Sequence, residues 1–215
     1  MIIVNFKNYE SAIGVNAVTL AKIHELIAHE TGAKIAIAVN ALDLEKVRKT
    51  VSIPVFAQHT DAAGFGSTTG SIVPELVKKM GVTGTLLNHS EKRLGAELAS
   101  CVTAAKQAGL QVIVCAETSD EAAKISANLQ PDFIAVEPPE LIGGDVSVTN
   151  ANPEIITDTA QKIGTTAMLV GAGVKNGEDV KTALKLGAKG VLLASGVTKA
   201  NDPAATLRNL VSGLI

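Results

Sequence analysis

The sequence predicts a (β/α)8 barrel, an α/β protein of a single domain over residues 1–215. Three observations point there: eight short apolar runs alternate with amphipathic stretches, the apolar content is almost wholly aliphatic, and polar residues gather where the apolar runs end. Val, Ile, Leu and Ala dominate a hydrophobic fraction of 47%, with no Trp, one Tyr and four Phe. That composition suits parallel strands buried on both faces beneath helices.

Strands are expected at 2–6, 34–39, 54–58, 85–88, 111–116, 133–137, 167–172 and 190–195. Helix-like segments follow them, for example over 17–30, 97–109 and 177–187, and Gly32, Gly109, Gly164 and Gly187 stand where helices end. Eight units in 215 residues leave about 27 residues each, near the minimum that closes a barrel. A doubly wound open sheet carries fewer strands and collects its ligand at one switch point. Here polar or charged residues end strands one, three, four and six, and Gly or Ser follows strands seven and eight. Only a barrel brings all of these ends to one face, where such enzymes place their active sites. No composition shift or linker marks a second domain.

The net charge of −2, from 19 basic and 21 acidic residues that do not cluster, argues against a nucleic-acid partner. Cys101 and Cys115 fit neither a CxxC motif nor a disulfide framework, so a reducing compartment is expected. The N-terminal MIIVNFKNYE lacks a basic segment followed by an apolar one, and no apolar stretch reaches the roughly 18 residues that span a membrane. The expectation is a soluble, cytoplasmic chain with no membrane partner.

Each strand end carries its own chemistry. Strand one ends in Asn5-Phe6-Lys7, and alternation along a strand would point Asn5 and Lys7 the same way. A lysine at a pocket rim holds an anionic substrate and stabilises charge developing on oxygen. Strand four ends in Asn88-His89-Ser90-Glu91. A histidine at a helix start receives main-chain N–H bonds on one ring nitrogen, which leaves the other N–H free to polarise a carbonyl. Strand six ends in Glu137, followed by Pro138-Pro139-Glu140-Leu141-Ile142-Gly143-Gly144. The prolines stiffen one end of that loop and the glycines hinge the other. Leu141 and Ile142 would cover the site and exclude water from a carboxylate base. Behind strands seven and eight, Gly171-Ala172-Gly173-Val174 and Ala194-Ser195-Gly196-Val197 are small enough for main-chain N–H groups to approach a phosphate.

In combination, Asn5-x-Lys7, His89-Ser90-Glu91, Glu137-Pro138 with its Ile-Gly-Gly loop, and the two small-residue loops resemble the triosephosphate isomerase family, notably its compact archaeal form. The match runs in order along essentially the whole chain. The resemblance implies a TIM barrel that interconverts D-glyceraldehyde 3-phosphate and dihydroxyacetone phosphate, a step of glycolysis and gluconeogenesis, without cofactor or metal. It implies that Glu137 moves the proton, that neutral His89 polarises the carbonyl, and that Lys7 supports the enediolate oxygens. It further implies that Asn5 contacts substrate and that Ile142, Gly173, Ala194 and Ser195 surround the phosphate, with Glu91 a supporting acid beside Lys7. The loop from His59 to Ser71, with Gly64, Gly66 and Gly70, resembles the family's subunit-contact loop and implies a homodimer or homotetramer. Two departures stand out: Pro-Glu-Leu where longer members have Val-Trp-Ala, and Gly-Ala-Gly where they have Tyr-Gly-Gly-Ser.

Three rival functions fit the barrel less well. A metal-dependent sugar-phosphate epimerase needs His and Asp ligands from several strand ends, and only His59 and Asp61 are suitable. A Schiff-base aldolase would use Lys7 as nucleophile. A phosphate-binding regulator would not need a base, an electrophile and a cation on one face.

Overall fold

Each strand is apolar on both sides and so needs cover from two directions, which a closed sheet ringed by helices supplies. A computed structural model describes residues 1–141 and 147–215. Its eight strands are β1 (Ile2–Asn5), β2 (Ile35–Val39), β3 (Val55–Ala57), β4 (Gly84–Leu87), β5 (Gln111–Ala116), β6 (Phe133–Val136), β7 (Ala167–Val170) and β8 (Gly190–Leu193). They close in chain order into a parallel barrel, β1 pairing with β8 through Ile2 opposite Val191. The helices are α1 (Val15–Thr31), α2 (Leu44–Thr50), α3 (Pro74–Lys79), α4 (Leu98–Gln107), α5 (Ser119–Leu129), α6 (Val148–Ala151), α7 (Pro153–Lys162), α8 (Gly177–Lys185), α9 (Ser195–Thr198) and α10 (Pro203–Ser212). The fold class read from the sequence is the fold observed.

Two layers of core follow from strand alternation. Ile3, Ala36, Ala38, Phe56, Leu86, Ile113, Cys115, Ala135, Leu169 and Leu192, all from strands, fill the barrel interior. The opposite strand faces pack against the helices. Phe56 fits inside because its neighbour across the ladder is Gly84, where a Cβ would run into the ring and the Gln111 carbonyl. Truncating Phe56 would cost about 3–5 kcal/mol by the usual measure for a buried ring.

Helix ends follow local chemistry. Gly32 closes α1 in the left-handed conformation (φ 68°), its N–H bonded to the Ala28 carbonyl at 2.9 Å. Thr118, Asn152, Asn176 and Asp202 cap α5, α7, α8 and α10 through their side-chain oxygens, each worth about 1 kcal/mol.

Several strands stop earlier than the sequence suggests: β1 at Asn5, β6 at Val136, β7 at Val170 and β8 at Leu193. The next N–H groups, of Phe6, Glu137 and Gly171, still donate to the neighbouring strand, but the chain then leaves the extended conformation, with Lys7 at φ 48° and Ala172 at φ 69°. No helix starts after His89 either; turns lead to a short 3-10 segment at Gly95–Glu97 and then α4. Among the described residues no helix is long and apolar enough to cross a membrane.

Candidate active site

The strand ends β1, β4, β6, β7 and β8 open onto one cavity of about 610 Å3. Asn5, Lys7, His89, Glu137, Gly173, Ala194 and Ser195 all line it, as do Tyr9, Glu91, Val174, Lys175 and Lys199. Ile142 lies outside the described residues.

Lys7 reaches the cavity by a route that strand alternation does not provide. β1 ends at Asn5, and Lys7 takes a left-handed conformation with φ 48°. For a residue with a Cβ this conformation is unfavourable by roughly 1–2 kcal/mol, so neighbours must hold it. The Asn5 side chain accepts the Lys7 N–H at 2.9 Å, and Gln58 Nε2 donates to the Lys7 carbonyl at 3.0 Å. Held this way, Lys7 Nζ meets Glu91 Oε1 at 2.6 Å.

His89 follows Asn88, another left-handed residue (φ 62°). Asn88 Nδ2 donates to the Cys115 carbonyl at 3.0 Å and its Oδ1 accepts the Leu94 N–H at 3.1 Å, which fixes the turn that follows β4. The Glu91 N–H donates to His89 Nδ1 at 3.1 Å. Nδ1 is thereby an acceptor, and in the neutral ring the proton sits on Nε2. The main-chain donor expected from a helix start comes instead from a turn. His89 Nε2 lies 3.9 Å from Glu137 Oε2.

Glu137 is the first residue beyond β6, its N–H bonded to the Ala116 carbonyl at 2.9 Å. It is buried, and its Oε2 has no hydrogen-bond partner among the described residues. Burial is the largest influence on its carboxyl and pushes the pKa above the ordinary value of 4.5. His89, the Cys115 thiol as a hydrogen-bond donor, and the Lys7 charge pull it back in part. Gly171 forms the wall behind the carboxylate, where a Cβ would overlap the Glu137 side chain.

The segments after β7 and β8 close the far wall. Ala172 and Gly173 are both left-handed (φ 69° and 74°), and α9 begins at Ser195. The two loops touch: a Cβ on Gly196 would come within 3.4 Å of the Val174 carbonyl.

Several contributors escaped sequence reasoning. Gln58 and Asn88 carry their signal only as polar residues at strand ends, where a main-chain carbonyl or amide needs a partner. Cys115 looks like packing until its contact with Glu137 is seen. His59 does not line the cavity; its Nε2 bonds Asp61 Oδ1 at 2.8 Å, while Asp61 Oδ2 accepts the Ile72 N–H at 2.6 Å, which braces the β3–α3 loop.

The chain is similar to proteins of one known family. The family model described as triosephosphate isomerase matches residues 1–212. A triosephosphate isomerase from Methanobacterium bryantii is 43% identical over 217 aligned residues, covering 99% of this chain and 96% of that protein. One from Methanoculleus marisnigri is 45% identical and covers 98% and 97% respectively. The crystal structure of triosephosphate isomerase from Bartonella henselae superposes with a TM-score of 0.70 over 90% of this chain and 91% of that one; at 20% identity it shows the shared fold.

Proposed function

The chain belongs to the triosephosphate isomerase family, in its compact archaeal type, and we propose that Glu137, His89 and Lys7 carry out the family's reaction at the cavity described above. That reaction interconverts D-glyceraldehyde 3-phosphate and dihydroxyacetone phosphate, an aldose–ketose isomerisation of glycolysis and gluconeogenesis.

Glu137 takes a proton from the carbon beside the substrate carbonyl. The C–H electrons form the enediolate double bond while the carbonyl electrons move onto oxygen. His89 Nε2–H polarises that oxygen, and the Lys7 ammonium stabilises the negative charge. Glu137 then returns its proton to the neighbouring carbon, while the hydroxyl proton passes from the oxygen of the first carbon to the former carbonyl oxygen, so that the first carbon becomes the new carbonyl. One hydrogen has moved between adjacent carbons, with no net oxidation. Asn5 contacts substrate, and the phosphate sits against the main chain of Gly173, Ala194 and Ser195; Ile142, the fourth phosphate contact that the resemblance implies, is outside the described residues. Glu91 restrains Lys7 through their ion pair.

The observation that carries this reading is a buried carboxylate, Glu137, with one oxygen unpartnered and a histidine N–H donor at 3.9 Å. The test is Glu137→Gln in a coupled assay with glyceraldehyde 3-phosphate. Activity should fall roughly 10^3-fold while inhibition by inorganic phosphate is retained; near-normal turnover refutes the assignment.

The same reading treats residues 1–215 as one catalytic domain that works as a homo-oligomer, dimer or tetramer, in the cytoplasm. Exposed apolar side chains support the assembly: Phe65 after β3, Ile13 before α1, Val15 at its first position and Leu42 after β2. Two free, buried cysteines suit a reducing compartment. Sedimentation of the purified protein reads the assembly directly.

A further inference from the structure

The loop after β7 is held in a conformation that Ala172 does not favour. Ala172 and Gly173 are consecutive left-handed residues, and Ala172 carries a Cβ. Such a turn persists only where its surroundings over-determine it. The Gly171 N–H bonds the Val136 carbonyl at 3.0 Å, the Ala172 carbonyl accepts the Val148 N–H at 3.2 Å, and the Lys175 N–H donates to Asp179 Oδ2 at 2.9 Å. Gly173 and Val174, both on the cavity wall, lie between these anchors.

Asp179 supplies the far anchor and joins it to a second segment. It is buried in the first turn of α8, its own N–H capped by Asn176 Oδ1 at 3.0 Å. Its Oδ1 accepts from Thr149 Oγ1 at 3.2 Å and from Asn150 Nδ2 at 3.5 Å. One carboxylate thus grips α6 with one oxygen and the β7–α8 loop with the other. All three donors need an acceptor, which a carboxylate offers on both sides and an amide on only one.

We propose that Asp179 is a positioning residue for substrate phosphate: by tying Lys175 to Thr149 and Asn150 it keeps the peptide groups around Gly173 facing the cavity. This rests on the reading of that loop as part of the phosphate site. Without the carboxylate the turn relaxes and its N–H groups lose their aim, so phosphate binding suffers more than the proton transfer at Glu137.

The experiment compares the parent enzyme with Asp179→Ala and Asp179→Asn by KM for glyceraldehyde 3-phosphate, kcat, and the inhibition constant of inorganic phosphate. Asp179→Ala should raise KM and the phosphate constant together by about tenfold, with kcat changed less than about threefold, and Asp179→Asn should fall between. A role in folding alone would lower the active fraction, hence kcat, and leave KM and the phosphate constant unchanged; that result overturns the proposal. If Asp179→Ala does not fold, Thr149→Val decides, weakening phosphate inhibition about threefold if the proposal holds and leaving it unchanged if not. Phosphate that fails to compete with substrate in the parent enzyme overturns the phosphate-site reading itself. Phosphate that competes equally with parent and Asp179→Ala overturns only the part assigned to Asp179.

Discussion

Glu137 Oε2 and His89 Nε2 stand 3.9 Å apart, too far to satisfy one another by a hydrogen bond. Both groups are oriented by other contacts: Cys115 and the Gly171 wall hold the carboxylate, and the Glu91 N–H fixes the imidazole. A base and an electrophile kept this close without consuming each other are both available to adjacent atoms of one substrate. Four predictions follow from how these and neighbouring groups are held.

Burial of Glu137 should make function and stability oppose each other. Its folded-state pKa lies above the ordinary value, so the unfolded chain gives up this proton at lower pH than the native protein does. Native stability from this group therefore falls as pH rises from about 4.5 through the raised value. Glu137→Gln should melt a few degrees higher than the parent at pH 7, and the difference should shrink on acidification toward pH 4. Thermal melts of both proteins across that range check it; a lower melting temperature for the variant at pH 7 contradicts it.

Gly171 should tolerate no side chain for a steric reason. Its backbone is outside the left-handed region, so strain is not at issue; an added Cβ would displace the Glu137 carboxylate. Gly171→Ala should lower kcat about 100-fold, the usual scale for a base moved by an ångström. Circular dichroism should show the helical content retained. A variant with parental kcat would place the working carboxylate elsewhere.

Cys115 should tune the acid limb of activity. Its thiol, pushed well above its ordinary range chiefly by burial and also by the Glu137 charge, donates to the carboxylate and pulls the Glu137 pKa downward. Cys115→Ala removes that donor. The acid limb of kcat/KM, which reports the free enzyme's base, should then move to higher pH. An unmoved limb, or one displaced to lower pH, would show that the thiol only packs.

His24 should make the fold sensitive to mild acid. It is fully buried in α1, its Nδ1 bonded to the Leu20 carbonyl at 2.7 Å, its Nε2 without a partner among the described residues, and its ring 5.3 Å from that of Phe6. Burial lowers its pKa from 6.5 to about 4. Above pH 6.5 it is neutral in both states; as pH falls toward 4 the unfolded chain binds the proton first and stability drops, by about 2 kcal/mol at pH 5. In His24→Leu the loss of urea-unfolding free energy between pH 7 and pH 5 should be smaller by about that amount. Equal losses in both proteins would remove His24 as the cause.

The barrel and the location of Lys7, His89 and Glu137 could be read from the sequence because each depends on a local signal: an apolar run, then a polar residue where it ends. What could not be read depends on backbone turns or on contacts between distant segments. Strand alternation predicts the direction of Lys7, yet β1 ends at Asn5 and a left-handed turn delivers the side chain. The main-chain N–H that donates to His89 Nδ1 is expected at a helix start and comes from Glu91 in a turn. Gln58 on the Lys7 carbonyl, Cys115 on Glu137 and Asp179 between Thr149 and Lys175 join residues 51, 22 and about 30 positions apart. Such pairings leave no periodicity in the chain.

The central claim is that Glu137 passes a proton between two carbons through an enediolate. Running the reaction from dihydroxyacetone phosphate in deuterated water, with the product trapped as it forms, measures it most directly. Deuterium should appear at the newly protonated carbon of the product in the parent enzyme, and almost no product should form with Glu137→Gln. Product formed at the normal rate without deuterium would mean that hydrogen crosses as hydride, and Glu137 would not be the base.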